Sequence, residues 1–144
     1  MPIRLKVKRL SDIARLPSYS QPGDAGLDLC AIEAVDLLPG QSMLVRTGIA
    51  IELPEGHEAQ IRPRSGLALR HGITVLNSPG TIDQGYRGEI GVILINHGSQ
   101  PFHVPSGAKI AQMVVQAITT VEVEEIEHLS DSRRGTGGFG SSGS

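Results

Sequence analysis

The chain has 144 residues, a length typical of one domain that buries its own core without disulfides or structural metal. Its net charge of -2 argues against a general nucleic-acid-binding protein, which would present a basic surface. The single cysteine, Cys30, excludes an internal disulfide framework and is expected to be a small buried apolar residue in a reducing cytosol. Because the sequence shows neither an apolar signal core nor a run of membrane-spanning length, we expect a cytoplasmic protein with no membrane contact.

Short segments with strand periodicity, separated by Gly and Pro, dominate the chain. In order, strands are predicted at 3–7, 35–38, 42–53, 58–62, 73–76, 89–96 and 109–118. Segment 42–53 is predicted to be a strand pair or one bent strand, and 89–96 is apolar enough for a strand covered on both faces. Only 66–71 has a helical pattern. This order predicts an all-β jelly roll or β-sandwich with one short helix.

The composition changes at residue 130, where Ser, Arg and Gly take over and Phe139 is the only large apolar residue. Such a segment cannot bury enough apolar surface to fold by itself. We therefore predict a β domain over 1–129 and a flexible tail over 130–144. No internal repeat accompanies this division.

Three tail glycines, Gly135, Gly137 and Gly140, formally match the dinucleotide-binding pattern G-x-G-x-x-G. That motif requires a preceding strand and a following helix, and the tail has neither, so a Rossmann site is rejected. A glycine-rich backbone beside arginines still suits phosphate oxygens, and Phe139 could stack on a planar base. The alternative is a disordered Gly-Ser linker.

Segment 80–88 carries the strongest chemical signal. Asp83 and Tyr86 flank a Gln84-Gly85 step that can reverse the chain, so both side chains could face one small cavity. Upstream, Asn77 offers an amide with both donors and acceptors. Together these residues supply a candidate base, a flat surface for a ring and a reader for a polar heterocycle. In isolation, the segment could equally be an ordinary hairpin with polar turn residues.

A second group of polar residues suits phosphate and a cation. Ser65 is predicted to cap the short helix, and with Arg64 it forms a candidate anion site; the alternative is a capped helix with a surface arginine. Asp24 and Asp28 lie four residues apart, so one strand face could present both to a hydrated cation, although two acids are too few for a cage. Gln112 could bind phosphate or simply end a strand.

Five segments, in order, resemble the signature motifs of the trimeric dUTP diphosphatases (dUTPases). They are 24–31, 63–68, 77–88, 107–112 and 134–143. The resemblance covers nearly the whole chain, and the ordered set is far more specific than any one motif. It implies a homotrimer of jelly-roll subunits with shared active sites. It also implies Mg²⁺-assisted hydrolysis of dUTP to dUMP and pyrophosphate, which lowers dUTP and supplies dUMP for thymidylate synthesis.

The resemblance also implies a role for each motif residue. Asp83 would be the general base for water attack on the α-phosphorus, and Tyr86 would pack under the deoxyribose and exclude a 2′-hydroxyl. Asn77 would read the uracil edge, and Asp28 would contact Mg²⁺ through water. The other substrate-binding residues implied are Arg64, Ser65, Gly66, Thr81, Ile82, Gly91, Gln112, Arg134, Phe139, Gly140, Ser141 and Ser142. Asp24, Ala108 and Ser142 depart from the commonest motif pattern without removing a catalytic group.

Three rival functions fit the residues less well than hydrolysis does. The related dCTP deaminases use a glutamate whose place falls at Ile93 here, and an apolar side chain cannot move protons. Tyr86 and the tail bearing Phe139 also favour the diphosphatase. A silent nucleotide-sensing module has no evident need for the base Asp83. A purely structural jelly roll would not need the ordered set of polar motifs.

Overall fold

The computed structural model describes residues 2–143. Its elements are β1 (Lys6–Arg9), β2 (Leu27–Cys30), β3 (Val35–Leu37), β4 (Ser42–Glu52), β5 (His57–Arg62), α1 (Ser65–His71), β6 (Ile73–Val75), β7 (Gly80–Ile82), β8 (Glu89–Asn96), β9 (Phe102–Val104) and β10 (Lys109–Ala117). The first sheet has the order β1-β4-β8-β6, the second has the order β2-β10-β5-β7, and β3 pairs with β9. The predicted all-β fold with one short helix is confirmed.

Buried aliphatic side chains from both four-stranded sheets form one core. Along β8, buried residues alternate with partly exposed ones, so Ile90, Val92 and Leu94 enter the core. Burying each such side chain contributes about 1.5–3 kcal/mol. The prediction that both faces of this strand are covered is wrong, because the outer face with Gly91 and Ile93 is only half-buried. That outer face is available for a binding site.

Segment 42–53 forms one bent strand, which is the second of the two predicted alternatives. The pairing of β4 with β8 shifts register between Arg46 and Ala50, and Gly48 inside this bulge has a φ of +71°. A Cβ at this glycine would lie 2.8 Å from Ile32 Cγ2 and 3.0 Å from Ala14 Cβ. Both the left-handed backbone and the close packing therefore require glycine here.

Gly48→Ala is expected to lower the free energy of unfolding by about 2–4 kcal/mol, because the strained backbone and the overlap with Ile32 add together. Gly40→Ala is the matched control, since Gly40 has a φ of +81° but no neighbour within 4 Å of a Cβ. The control should lose only about 1–2 kcal/mol. Urea denaturation followed by circular dichroism measures both, and equal losses would show that packing against Ile32 plays no part.

The strands β2, β7 and β9 were not predicted, and the start of β1 and the N-cap of α1 differ from the predictions. β1 begins at Lys6, which pairs with Glu52 at the end of β4. Pro54 follows shortly after, so residues before Lys6 have no strand to pair with. The predicted N-cap at Ser65 is also wrong: Arg64 is the N-cap, with φ −93° and ψ 128°, and no side chain caps the helix. Extended backbone continues through Arg64, so Ser65 is already helical.

The segment after β7 crosses between sheets and is not a hairpin. β7 pairs with β5 in the second sheet, whereas β8 pairs with β4 and β6 in the first. Residues 83–88 therefore carry the chain from one sheet to the other. Cys30, expected to be buried, is only half-buried at the end of β2.

After β10, residues 118–143 contain neither helix nor strand. Val121 and Val123, which lie inside the predicted β domain, are 73% and 90% exposed. Within residues 2–143, α1 is the only helix, and its seven residues are too few to span a bilayer.

Candidate active site

A cavity of about 260 Å³ lies where the crossover loop meets the outer face of the first sheet. Its walls come from the end of β7, the crossover loop, β8 and β4. The lining residues are Leu44, Thr81, Ile82, Asp83, Tyr86, Glu89, Gly91 and Ile93. Asp83 and Tyr86 therefore face one cavity, as the spacing of segment 80–88 predicts.

The crossover loop is held by its own hydrogen bonds. The Tyr86 N–H donates to the Asp83 carbonyl at 3.1 Å, which closes a turn across Gln84 and Gly85. The Gln84 side-chain oxygen accepts from the Gly56 N–H at 2.8 Å, and Arg87 Nη1 donates to the Gln84 carbonyl at 2.8 Å. These hydrogen bonds fix the backbone of the loop. The Asp83 side chain is exposed, so its carboxylate can accept a hydrogen bond from water.

Asn77 does not line this cavity. It lies in the loop between β6 and β7, where its Nδ2 is 3.3 Å from the position that a Cβ on Gly80 would take. The side chain is exposed beside the start of β7, and Asp83 follows the end of the same strand. The length of β7 therefore separates the predicted ring reader from the predicted base.

A second polar cluster lies at the far end of the second sheet. Lys109 Nζ is 3.1 Å from an Asp28 carboxylate oxygen, and Arg64 Nη1 donates to the Lys109 carbonyl at 3.4 Å. Gln112 on β10 lies opposite Asp28 on β2, and its Nε2 donates to the Pro63 carbonyl at 3.0 Å. Three of the predicted phosphate- and metal-site residues thus lie together within one chain.

The Asp28 carboxylate is held in its charged form. Partial burial alone would raise its pKa, but hydrogen bonds from Ser20 and Lys109 and the positive charges of Lys109 and Arg64 outweigh burial, so the pKa is lowered. Residues 2–143 hold no group of three or more His, Cys, Asp or Glu side chains arranged for a metal ion. One carboxylate fits a Mg²⁺ ion whose remaining ligands come from phosphates and water.

Asp24 does not join Asp28 on a strand face, so the prediction of a two-carboxylate cation site is wrong. Asp24 lies before β2, and its carboxylate accepts the Gln21 N–H at 2.9 Å within a local turn. β2 begins only at Leu27, because the preceding residues form turns in place of pairing with β10.

Asp83 and the polar cluster of Asp28, Arg64, Lys109 and Gln112 lie at opposite corners of the second sheet. Ile82 pairs with Ala59 near the start of β5, so Asp83 lies beside that end. Arg64 follows the other end of β5 in an extended conformation, five residues after Ala59, or roughly 17 Å along the chain. In addition, β7 and β10 flank β5 on opposite sides. One chain therefore does not bring the two groups together.

The tail makes only local hydrogen bonds among the residues that the structure describes. Arg134 Nε donates to the Gly137 carbonyl at 2.7 Å, and the Ser141 N–H donates to the Gly138 carbonyl at 3.1 Å. Phe139 has a φ of +50° and is fully exposed. None of the predicted tail residues lines the cavity that holds Asp83.

Sequence reasoning missed Lys109 and Glu89 at these two places. Lys109 contacts Asp28 across two strands that are far apart in the sequence. Glu89 lines the cavity and contacts Arg46 on β4. The sequence shows only that Lys109 begins β10 and Glu89 begins β8. A charged residue at the start of a strand does not indicate which residue it will contact.

Comparison with known proteins identifies the family. The sequence model described as dUTPase matches residues 12–143. The chain belongs to the dUTPase family. It is 64% identical over 141 residues to the deoxyuridine 5′-triphosphate nucleotidohydrolase of Gloeothece citriformis, covering 98% of this chain and 97% of the relative. The enzyme of the same name from Clostridioides difficile is 59% identical over 139 residues, covering 96% and 97%.

Solved dUTPase structures share the fold. A mutant of the Staphylococcus bacteriophage 80alpha dUTPase, solved with dUpNHpp, gives a TM-score of 0.92 at 30% identity and covers 98% of this chain and 99% of that one. A mutant dUTPase of phage phi11 of S. aureus, described as coordinating a structural Mg(II) ion, gives 0.81 at 26% identity over 88% and 98% of the chains. The sequence resemblance to dUTPases is thus confirmed.

Proposed function

We propose that this dUTPase-family chain hydrolyses dUTP to dUMP and pyrophosphate. One observation carries the proposal: Asp83 and Tyr86 line a single cavity. They lie three residues apart on a loop that is fixed by its own hydrogen bonds. A carboxylate beside a flat ring suits a nucleoside whose phosphate chain meets an activated water. Relatives that match nearly the whole chain and carry the name deoxyuridine 5′-triphosphate nucleotidohydrolase support it.

In the proposed nucleoside half, the Tyr86 ring lies under the deoxyribose and leaves no room for a 2′-hydroxyl. Backbone groups of Thr81, Ile82 and Gly91 line the cavity beside it, and Asn77 reads the uracil edge from the start of β7. A site that reads a ring through paired donors and acceptors rejects rings with a different pattern, because its own polar groups would be left unpaired.

In the proposed chemical step, the Asp83 carboxylate orients one water and accepts its proton. The water oxygen bonds to the α-phosphorus, the bond from that phosphorus to the bridging oxygen of the β-phosphate breaks, and pyrophosphate leaves. A positioned base typically contributes about 10²–10⁴-fold to such a step. The exposure of Asp83 supports this role, since water reaches it freely.

In the proposed phosphate half, Arg64, Ser65, Gly66 and Gln112 hold oxygens of the triphosphate. Screening the negative charge of the phosphates is the main form of catalysis for phosphoryl-type transfer. Mg²⁺ bound to the triphosphate would supply further screening, and the charged Asp28 would contact it through water. The lowered pKa of Asp28, caused by its hydrogen bonds and neighbouring cations in spite of partial burial, supports that assignment.

We also propose that each site is shared between chains of a homotrimer. The separation of Asp83 from Arg64 along β5 supports this, because a second copy is needed to bring a phosphate cluster to the cavity. Exposed apolar side chains on 118–129, among them Val123 and Leu129, favour burial against another copy. The tail, with Arg134 and the backbone around Phe139 to Ser142, would then close over the bound nucleotide.

The proposed activity is tested by adding dUTP with Mg²⁺ to the purified protein, and separately UTP, dTTP and dCTP. Pyrophosphate and ammonia are followed in each reaction. We expect pyrophosphate from dUTP and nearly none from the other nucleotides. Ammonia from dCTP would instead assign the chain to deamination, and tight dUTP binding without either product would assign it to nucleotide sensing.

A further inference from the structure

The Glu89 side chain closes the bulge of β4. Its carboxylate oxygens lie 3.2 and 3.3 Å from Arg46 Nε, and one of them accepts the Gly48 N–H at 2.9 Å. Gly48 sits inside the register shift between β4 and β8, so a side-chain acceptor takes the place of a ladder partner. The Glu89 side chain is 25% exposed and the Arg46 side chain 51% exposed, so water screens the ion pair, and the charge-assisted bond from the Gly48 N–H is the better protected contact.

The main-chain carbonyl of Glu89 accepts a hydrogen bond from Tyr86. The Tyr86 hydroxyl donates to the Glu89 carbonyl at 2.8 Å. The ring lies across Gly88, where an added Cβ would come 2.6 Å from the ring Cζ. The glycine at position 88 and the carbonyl of the next residue, Glu89, therefore limit where the ring lies in the cavity.

These contacts form a continuous series of hydrogen bonds from β4 to the Tyr86 ring. Arg46 and Gly48 on β4 hold the Glu89 side chain, and the Glu89 carbonyl holds the hydroxyl of Tyr86. A buried hydrogen bond from the Thr47 hydroxyl to the Ile90 carbonyl ties the two strands together next to it. Without its carboxylate, the first residue of β8 would keep its pairing with Ala50 but lose its side-chain bonds to Gly48 and Arg46. We therefore expect the Glu89 carbonyl, which accepts from the Tyr86 hydroxyl, to be less firmly positioned.

We propose that Glu89 is a positioning residue that sets discrimination between deoxyribose and ribose by fixing the Tyr86 ring. The inference rests on the proposed function, in which that ring excludes a 2′-hydroxyl. Glu89 touches neither the water nor the phosphates in this scheme. Its loss should therefore change which sugar is accepted more than it changes the rate of hydrolysis.

The test compares kcat/KM for dUTP and UTP in Glu89→Ala and Glu89→Gln. Glu89→Ala keeps the main-chain carbonyl but loses the side-chain hydrogen bonds that position it. The preference for dUTP should therefore fall about 5–10-fold, while kcat for dUTP stays within about threefold of the parent. Glu89→Gln keeps an acceptor for the Gly48 N–H and should recover part of the preference. Asp36→Asn, which breaks an exposed contact with His103 on the β3–β9 sheet, should leave the preference unchanged.

A second readout does not depend on activity. The chain has no Trp and two Tyr residues, so in a Tyr19→Phe background Tyr86 is the only strong intrinsic fluorophore. Glu89→Ala should lower the fluorescence anisotropy of Tyr86, and Glu89→Gln should lower it less. If the parent hydrolyses no nucleotide, the proposed function fails, and anisotropy alone then decides whether Glu89 holds the ring.

Several results would overturn the inference. One is a folded Glu89→Ala protein with parental preference and anisotropy. Another is an equal fall in kcat/KM for dUTP and UTP, which would mark Glu89 as merely structural. If Glu89→Ala does not fold, Glu89→Gln decides by the same two measurements.

Discussion

Asp83→Asn should lower kcat for dUTP by about 10²–10⁴-fold and leave the Kd for dUTP nearly unchanged. Asparagine has the shape of aspartate but cannot accept the proton of the attacking water. The side chain is exposed, so its replacement should not alter the fold. Pyrophosphate release gives kcat, and titration calorimetry with the slow variant gives Kd. A variant that turns over as fast as the parent would remove Asp83 from the proposed mechanism.

Mixing two inactive variants tests whether sites are shared. Asp83→Asn chains supply an intact Arg64, and Arg64→Ala chains supply an intact Asp83. Unfolding and refolding an equal mixture should restore both groups in about a quarter of shared sites, by random assortment in a symmetric oligomer. Each variant refolded alone is the control. A mixture as inactive as its components would contradict shared sites and leave the role of Asp83 to the single-variant result.

Truncation of the chain before Arg133 should leave the fold intact and lower kcat for dUTP by about 10²-fold or more. The last residue of the buried core is Val114, and the described tail makes only local hydrogen bonds, so its removal exposes no buried side chain. Loss of a segment that closes over substrate removes phosphate contacts and readmits water. Circular dichroism and Tm report the fold, and pyrophosphate release reports activity.

Neighbouring arginines supply the matched control for the tail. Arg133 and Arg134 are both exposed, but only Arg134 is assigned to the phosphates. Arg134→Ala should reproduce much of the loss, whereas Arg133→Ala should retain most of the activity. Phe139→Ala should chiefly raise KM, because stacking on uracil stabilises bound substrate. Full activity in the truncated protein would show that the tail is a linker.

Several features of this protein follow from local sequence alone. The existence of β8 and of the short helix α1 follows from side-chain patterns that neighbouring residues determine, whereas the half-exposed outer face of β8 does not. Asp83 and Tyr86 share a cavity because a turn closed across two residues brings their side chains to the same side. The family was recognisable because its motifs are continuous segments that keep their order along the chain.

Other features depended on which strands pair, and this only the tertiary structure decided. Pairing of β7 with β5 turned a possible hairpin into a crossover and separated Asp83 from Arg64. The contacts of Glu89 with Gly48 and of Lys109 with Asp28 join residues 41 and 81 positions apart. Such contacts depend on strand register, because a shift of one residue turns each side chain to the other face of its sheet. Periodicity identifies the strands, and only the packed sheets determine their partners.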